Sequence, residues 1–156
     1  QVPYSLLQRD IERELLPMAE AFGMTVTAWS PLAGGILSGK FTRPGGPEAG
    51  TRVDPGSLSS VQRHVATVVQ TVADGIGATP SQVALAWVRH QSPAIHPIIG
   101  ARRVDQLTDN LGAASLTLPG DALAQLADAT TFDPGFPASF IKETGDWVFG
   151  AAALPG

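Results

Sequence analysis

The sequence has no cysteine, and only 6% of its residues are aromatic and 15% charged. Without cysteine the protein has no disulfide framework, no thiolate metal site and no cysteine nucleophile, a composition that fits the reducing cytoplasm. No apolar run reaches the roughly 18 residues that a membrane-spanning helix requires. Fourteen Asp and Glu exceed ten Lys and Arg, without a basic cluster, which argues against nucleic acid and membrane surfaces as partners. We therefore expect a cytoplasmic globular protein.

Glycine and proline, by contrast, are abundant, with 17 and 13 of the 156 residues. Hydrophobic residues make up 44% of the chain, which is enough to form a buried core. The sequence opens on Gln1-Val2-Pro3-Tyr4 without a methionine, in what reads as the end of a strand. We expect it to begin inside a longer protein.

The apolar periodicity predicts helices alternating with two strands. A first helix over 11–22 contains Pro17, so it is expected to kink or restart there. Ser59 is expected to cap a second helix that ends at Gly77, and Thr79-Pro80 begins a third. The two strands are predicted at 24–29 and 94–100, and the remaining helices at 103–112 and 120–130.

The other segments have no regular period. They are a glycine-rich turn at 33–40, a long polar loop at 41–58 and a tail at 131–156. Two helices carry apolar stripes expected to face the core, and these include Val61 in the second helix and Val104, Leu107 and Leu111 over 103–112. The alternation of strands and helices indicates parallel βαβ units, but two or three strands are too few for a complete parallel sheet.

Ligands of parallel α/β folds bind at the carboxyl ends of the strands, which here are Gln1, Trp29–Leu32 and Gly100–Arg102. Trp29 is either a plane for a flat ring or a buried core aromatic, and Arg102 either binds phosphate or starts a helix in solvent. The segment Gly34–Lys40 matches most of a P-loop, but Phe41 stands where the Mg²⁺-binding hydroxyl is required, so an ATPase is disfavoured. The glycine turn and Lys40 still favour an anion.

No residue stands out as a catalyst. The three histidines lack ligand spacing, and no serine lies in a nucleophile elbow, so neither a metal site nor a general acid is predicted. Asp105 and Asp109 lie one helical turn apart and are expected to face solvent.

Three segments together resemble the aldo-keto reductase family, most closely its bacterial and potassium-channel-β-subunit-like branch. They are Gln1–Leu6, Ala28–Lys40, and Pro97–Arg102 with Gln106, Asp109 and Asn110. The resemblance implies an α/β fold, the C-terminal part of a (β/α)₈ TIM barrel with strands six to eight. Residues 1–130 would form the cofactor-binding part of the barrel and residues 131–156 a C-terminal tail.

The resemblance also implies that NADP(H) is the cofactor. Gln1 would bind the nicotinamide carboxamide, and Trp29 would stack on the nicotinamide ring. The main chain would wrap the pyrophosphate at Ser30, Pro31, Leu32, Ala33 and Gly34, with Lys40 and Arg52 as cations. Gly100 and Arg102 would hold the 2′-phosphate with Gln106 beside them, while Asp109, where the family usually has Glu, and Asn110 would contact the adenine.

By the same resemblance, the activity is reduction of a small-molecule carbonyl by NADPH, or the reverse oxidation. The family's catalytic Asp, Tyr, Lys and His would lie before Gln1, so we assign no catalytic residue and expect the chain alone to be inactive. Two alternatives stay open: a non-catalytic NADP-binding regulatory subunit, and a truncated fragment without function. An incomplete sheet exposes apolar faces, so we also expect self-association.

Overall fold

The computed structural model of the protein describes residues 1–46 and 51–150. Its sheet has three parallel strands in the order β1 (Val2–Pro3), β2 (Val26–Trp29) and β3 (Ile95–Pro97). The predicted parallel arrangement is therefore confirmed, although both predicted strands are longer than the observed ones. Parts of the predicted polar loop and of the tail, residues 47–50 and 151–156, lie outside the described residues.

Six α-helices and three 3₁₀ turns accompany the strands in the described part of the chain. The helices are α1 (Leu15–Ala21), α2 (Ser60–Ile76), α3 (Pro80–His90), α4 (Val104–Gly112), α5 (Gly120–Ala129) and α6 (Ala138–Phe149). The 3₁₀ turns are Asp10–Glu12, Ala33–Ser38 and Pro55–Ser57.

The starts of α2 and α3 are set by their local sequence. The side chains of Ser59 and Thr79 each accept a hydrogen bond from the backbone N–H three residues on. The glutamine at that position accepts one in turn from the backbone N–H of the capping residue, which completes two capping boxes. Gly77 ends α2 in the left-handed conformation at φ 68°. These three predictions are confirmed.

Two helix predictions are wrong in part. The first helix is divided, and α1 restarts at Leu15 instead of at Pro17. Pro17 occupies the first turn, where a helix does not need its N–H. The tail contains α6, which was not predicted because residues 131–156 show no clear apolar period.

The core lies between one face of the sheet and helices α2 and α3. Val26, Ala28 and Ile95 are buried on that face. The strand residues next to them, Thr27 and His96, are more exposed. This alternation follows the two-residue period of a strand. The helices contribute buried Val65, Val69, Val72, Val83, Ala84, Trp87 and Val88.

One residue of the α2 stripe and the whole stripe of α4 do not enter this core. Val61 is exposed, because it lies in the first turn of α2. Val104, Leu107 and Leu111 are exposed as well, and the buried residue of α4 is the polar Asn110. Since α4 follows the edge strand β3, its apolar stripe has no neighbouring layer to pack against in the described residues.

A mostly buried ion pair ties the segment after β1 to the segment after α5. Arg9 binds both carboxylate oxygens of Glu12, at 2.7 and 2.8 Å, and donates to the Thr130 carbonyl oxygen at 2.8 Å. The Arg9 guanidinium also lies over the rings of Trp87 and Phe132. Residues 130–132 are therefore held against the start of the chain.

Tyr4, the single tyrosine of the chain, completes this network through a 2.7 Å hydrogen bond from its hydroxyl to Glu12. Burial, followed by Glu12, raises the pKa of Tyr4 well above its usual range. An unfolded tyrosine ionises near pH 10 while folded Tyr4 keeps its proton, so stability should fall as pH rises above about 10.

We expect the folded chain to show no tyrosinate absorbance until alkali unfolds it, and Tyr4→Phe to weaken the dependence of stability on pH above about 10. Denaturant unfolding and ultraviolet titration measure the two effects, and the unfolded chain in guanidinium is the control. Tyrosinate appearing near pH 10 with the circular dichroism unchanged would contradict the assignment.

Candidate functional site

The predicted site begins at the carboxyl ends of β1 and β2. The backbone N–H of Tyr4 donates to the Trp29 carbonyl oxygen at 3.2 Å, so the chain after β1 runs beside the end of β2. On the other side, Ile98 donates to the Ala28 carbonyl oxygen at 2.7 Å. Trp29 lies between them with 46% of its surface exposed. The alternative that Trp29 is a core aromatic is therefore wrong.

A strained turn follows Trp29. Ser30 and Ala33 are the two non-glycine residues with positive φ in the described part of the chain, at 57° and 49°. Gly34 and Gly35 continue in the same region at 66° and 92°. Such backbone is costly for residues with a side chain and is concentrated at binding sites. The sequence predicted a glycine turn here, but it did not predict the strain at Ser30 and Ala33.

Lys40 folds back over this turn. A Cβ atom placed on Gly35 would lie 2.5 Å from the Lys40 ammonium nitrogen, so the ammonium lies directly over this glycine and would have to move if Gly35 carried a side chain. The turn is braced by Ser38, whose hydroxyl donates to the Gly35 carbonyl oxygen at 2.8 Å. The lysine and the glycine turn thus form one cradle, with a cation directly against the backbone.

Two arginines distant in sequence lie near Lys40. The pKa of Lys40 is lowered first by burial and then by the positive charges of Arg102 and Arg52. Arg52 comes from the loop before α2, and Arg102 follows β3. Three cations are therefore gathered beside the cradle, an arrangement that favours a multiply charged anion.

Val53, the residue after Arg52, holds the loop that carries both of them in place. A Cβ on Gly34 would lie 3.2 Å from a methyl group of Val53, so the loop contacts the glycine turn directly. Val53 and Phe41 pack against a small apolar cluster of Ile36, Leu58 and Ala66. Sequence reasoning did not identify Val53, although one apolar residue in a polar loop was a signal for such an anchor.

The segment predicted to bind the adenosine half of the cofactor is residues 100–110, and its two ends make different contacts. The exposed Arg102 donates its backbone N–H to the Gln106 amide oxygen at 3.0 Å, so Gln106 braces the start of α4. Arg103 pairs with Asp105 at the surface, and this hydrogen bond lowers the pKa of Asp105. Asp105 faces solvent, as predicted.

Asp109 was predicted to face solvent, and this prediction is wrong. Its carboxylate accepts from the Thr79 hydroxyl at 2.9 and 3.1 Å, and its carbonyl oxygen accepts from Gln82 at 3.0 Å. Asp109 therefore joins α4 to the start of α3, and the neighbouring Asn110 is buried. Of the two residues predicted to contact adenine, Asp109 therefore takes part in the α3–α4 packing and Asn110 has little exposed surface.

The remaining predicted positions differ in exposure. Gly100 is exposed after β3, Pro31 is buried, and Leu32 packs against the main core. Gln1 is exposed immediately before β1, at the amino end of that strand, so the prediction that it marks a carboxyl end is wrong. The structure thus brings Trp29, the strained turn, Lys40, Arg52 and Arg102 into one region. Across residues 1–46 and 51–150, no three His, Asp or Glu side chains cluster as metal ligands, and no helix is both long and apolar enough to cross a membrane.

Comparison with known proteins agrees with this architecture. Norsolorinic acid reductase A of Aspergillus parasiticus is 31% identical over 91% of this chain and 37% of its own length. The uncharacterized oxidoreductase YrpG of Bacillus subtilis is 40% identical over 82% of this chain and 39% of its own length. A crystal structure of the thermostable aldo-keto reductase Tm1743, in complex with the inhibitor epalrestat, superposes with a TM-score of 0.60 at 28% identity. The superposed part covers 83% of this chain and 38% of the Tm1743 chain.

These similarities define a protein with the α/β fold of the aldo-keto reductases. The sequence model of the Aldo/keto reductase family matches residues 1–130, and the chain belongs to that family. It spans less than two-fifths of the length of the relatives named above.

Proposed function

We propose that the chain is the NADP(H)-binding part of an aldo-keto reductase that transfers hydride between NADPH and a carbonyl compound. The observation that carries the proposal is the gathering of Lys40, Arg52 and Arg102 beside the strained turn. A dinucleotide with a 2′-phosphate brings phosphate groups to two places, which suits cations that come from separate segments. We also propose that the protein acts in the cytoplasm.

The residues fit such a cofactor. The Lys40 ammonium lies over Gly35, which suits a pyrophosphate held between backbone and Lys40. Trp29 offers an exposed ring at the end of β2, where the nicotinamide would stack. When bound, the cofactor would supply the hydride, and Trp29 would restrict which face of the nicotinamide ring is open to a carbonyl.

The rest of the site would be supplied by the main chain and by the segment after β3. Ser30, Pro31, Leu32, Ala33 and Gly34 would surround the pyrophosphate. Gly100, Arg102 and Gln106 would receive the 2′-phosphate, and Asp109 and Asn110 would approach the adenine from the α3–α4 contact. Gln1, exposed before β1, would bind the nicotinamide carboxamide.

We further propose that the three strands are strands six to eight of a (β/α)₈ barrel. Three strands of eight are close to the 37–39% of the relatives' length that the chain covers. The proton donor and its partners would then lie on the other strands, so the 156 residues alone should bind the cofactor without turning over a carbonyl. A regulatory, channel-β-subunit-like protein would keep the binding and lack turnover even as a complete barrel.

Fluorescence titration with NADPH tests the proposal. The chain has three tryptophans, of which Trp87 is buried and Trp147 is 86% exposed. We expect NADPH to quench the emission and Trp29→Phe to remove most of the quench, because Trp29 would stack on the nicotinamide. Trp147→Phe, the matched control at an exposed site, should leave the quench almost unchanged. Equal quenching in all three proteins would contradict the assignment.

The affinity for NADPH should also depend on Lys40 at alkaline pH. A bound phosphate favours the charged ammonium, so affinity should fall as Lys40 loses its proton. Because the pKa of Lys40 is lowered by burial and by two arginines, this fall should begin below the usual lysine value of about 10.4. Lys40→Arg keeps its charge and should bind with little dependence on pH in that range. Identical pH profiles for the two proteins would exclude Lys40 as a phosphate ligand.

A further inference from the structure

The start of α3 lies between two parts of the proposed cofactor site. One part is the cradle of the glycine turn and Lys40, and the other is residues 100–110, which we call the adenosine segment. Both parts contact residues 79–82, at the start of α3. Further along this helix, residues 83–88 are all buried, so packing holds its first turn in one place.

Pro80 supports the end of the cradle. Gly39, the residue before Lys40, has a positive φ of 81°, and a Cβ atom placed on it would lie 2.8 Å from the ring of Pro80. Pro80 is buried, so its ring cannot move aside at low cost. Beyond Lys40, the Thr42 hydroxyl donates to the Gln70 amide oxygen at 2.8 Å and ties the chain to α2. The end of the cradle therefore rests on α2 and α3.

Thr79 supports the adenosine segment. Its hydroxyl accepts from the Gln82 backbone N–H at 3.2 Å and donates to the Asp109 carboxylate at 2.9 Å. A hydroxyl donates one hydrogen bond and accepts others, so capping α3 and binding Asp109 do not compete. The bond to Asp109 is charge-assisted and therefore strong.

The same contact reaches Arg102 through α4. Asp109 belongs to α4, and so does Gln106, whose amide oxygen accepts from the backbone N–H of Arg102 at 3.0 Å. A second bond, from the Gln82 side chain to the Asp109 carbonyl oxygen at 3.0 Å, strengthens the contact between α3 and α4. Holding Asp109 therefore helps to hold the backbone of Arg102.

We propose that Thr79 is a positioning residue for the cofactor. Its hydroxyl holds Asp109, and through α4 it holds the adenosine segment at a fixed distance from the cradle that rests on the adjacent Pro80. The role of Thr79 rests on the proposed function, in which the two parts bind one NADPH molecule. Contacts that are in place before binding cost less entropy to form, so their spacing contributes to affinity.

Thr79→Gly and Ser59→Gly form a matched pair that tests this role. Glycine is tolerated at the N-cap, so each variant loses its hydroxyl with a small loss of helix stability. Ser59 forms the same capping box at the start of α2, and neither of its two capping bonds reaches α4. A difference in cofactor affinity between the two variants therefore reports the bond to Asp109.

The affinity is measured by titration with NADPH and with two fragments, adenosine 2′,5′-bisphosphate and inorganic pyrophosphate. We expect Thr79→Gly to weaken NADPH and the adenosine fragment by about tenfold, the effect of one charge-assisted hydrogen bond, and to leave pyrophosphate unchanged. Thr79→Ser keeps the hydroxyl and should restore both affinities, and Ser59→Gly should match the parent. A general loss of folded protein would instead weaken both fragments equally.

Gly39→Ala gives the opposite pattern. The added methyl group would collide with Pro80, so pyrophosphate and NADPH should bind more weakly while the adenosine fragment binds as before. Gly23→Ala is the control, because Gly23 also has a positive φ, 62°, but a Cβ atom there meets no described atom within 4 Å. It should leave all three affinities unchanged.

Two kinds of result would overturn the role of Thr79. If the parent binds NADPH and the adenosine fragment but Thr79→Gly binds them as Ser59→Gly does, the role of Thr79 is wrong and the proposed function stands. If Thr79→Gly weakens both fragments equally, Thr79 is only structural. A parent that binds none of the three ligands would overturn the proposed function together with the role of Thr79. Thr79→Ala repeats the test, so that a folding defect in the glycine variant does not decide it.

Discussion

Replacing Arg9 by alanine is expected to lower the free energy of unfolding by about 3 kcal/mol, because it leaves a mostly buried carboxylate without its counter-charge. The Arg9 and Glu12 side chains are only 18% and 16% exposed. Arg9 also donates to the carbonyl and hydroxyl oxygens of Thr130 and lies over two aromatic rings. The change therefore removes charge, hydrogen bonds and packing at one point.

Arg13→Ala is the matched control, four residues further along. Arg13 forms a surface ion pair with Asp10, and both partners are more than 40% exposed. Arg13 also donates to the Asp133 carbonyl oxygen and lies over the Phe132 ring, so the two arginines share contacts with this segment and differ in the burial of the ion pair. Exposed pairs contribute no more than about 1 kcal/mol. Denaturant unfolding measures both variants, and equal losses for Arg9→Ala and Arg13→Ala would contradict the importance of burial.

The double variant Arg9→Ala, Glu12→Ala isolates the charge effect. Removing Glu12 as well removes the unpaired carboxylate, so the double variant should be less destabilised than the sum of the two single variants. Strict additivity would show that Arg9 acts independently of Glu12, through its hydrogen bonds to Thr130 and its packing against Trp87 and Phe132.

Arg102→Ala is expected to weaken NADPH by about 10- to 100-fold and NADH by much less. A hydrogen bond to a charged group is worth about 1.5–3 kcal/mol, and only NADPH carries the 2′-phosphate that Arg102 would bind. The ratio of the two affinities, measured by titration on the same protein, cancels any general effect on folding.

Arg103→Ala provides the neighbouring control. Arg103 forms a salt bridge with Asp105 on the surface, so its loss should change the two affinities equally. If Arg102→Ala weakened NADH as much as NADPH, Arg102 would contact the pyrophosphate and not the 2′-phosphate. If it changed neither, the proposed position of the cofactor would be wrong.

Local sequence was sufficient for the features whose physics is local. Ser59 and Thr79 cap their helices with atoms only three residues away, and Gly77 ends α2 because glycine accepts a positive φ without strain. The parallel order of the strands could be predicted as well, since helices between strands leave no other connection. The site residues around Trp29 followed from the rule that ligands bind at strand ends.

Features that depend on distant partners were not predictable in the same way. The period of Val104, Leu107 and Leu111 is the same whether a partner covers them or solvent does, so their exposure was not foreseen. Asp109 looked like a solvated carboxylate because Thr79, its partner, lies 30 residues earlier. The amphipathic pattern of α6 was hidden by glycine, proline and scattered aromatic residues.

The sequence by itself determined the helix caps, the parallel α/β class, the glycine turn and the family to which the chain belongs. Only the tertiary structure decided that Trp29 is exposed, that Ser30 and Ala33 are strained, and that Lys40, Arg52 and Arg102 are close together. The reason is that caps and turns are stabilised by neighbours along the chain. A cluster of like charges has no local cause, and it exists here because packing around Val53 and the ends of β2 and β3 brings three separate segments to one place.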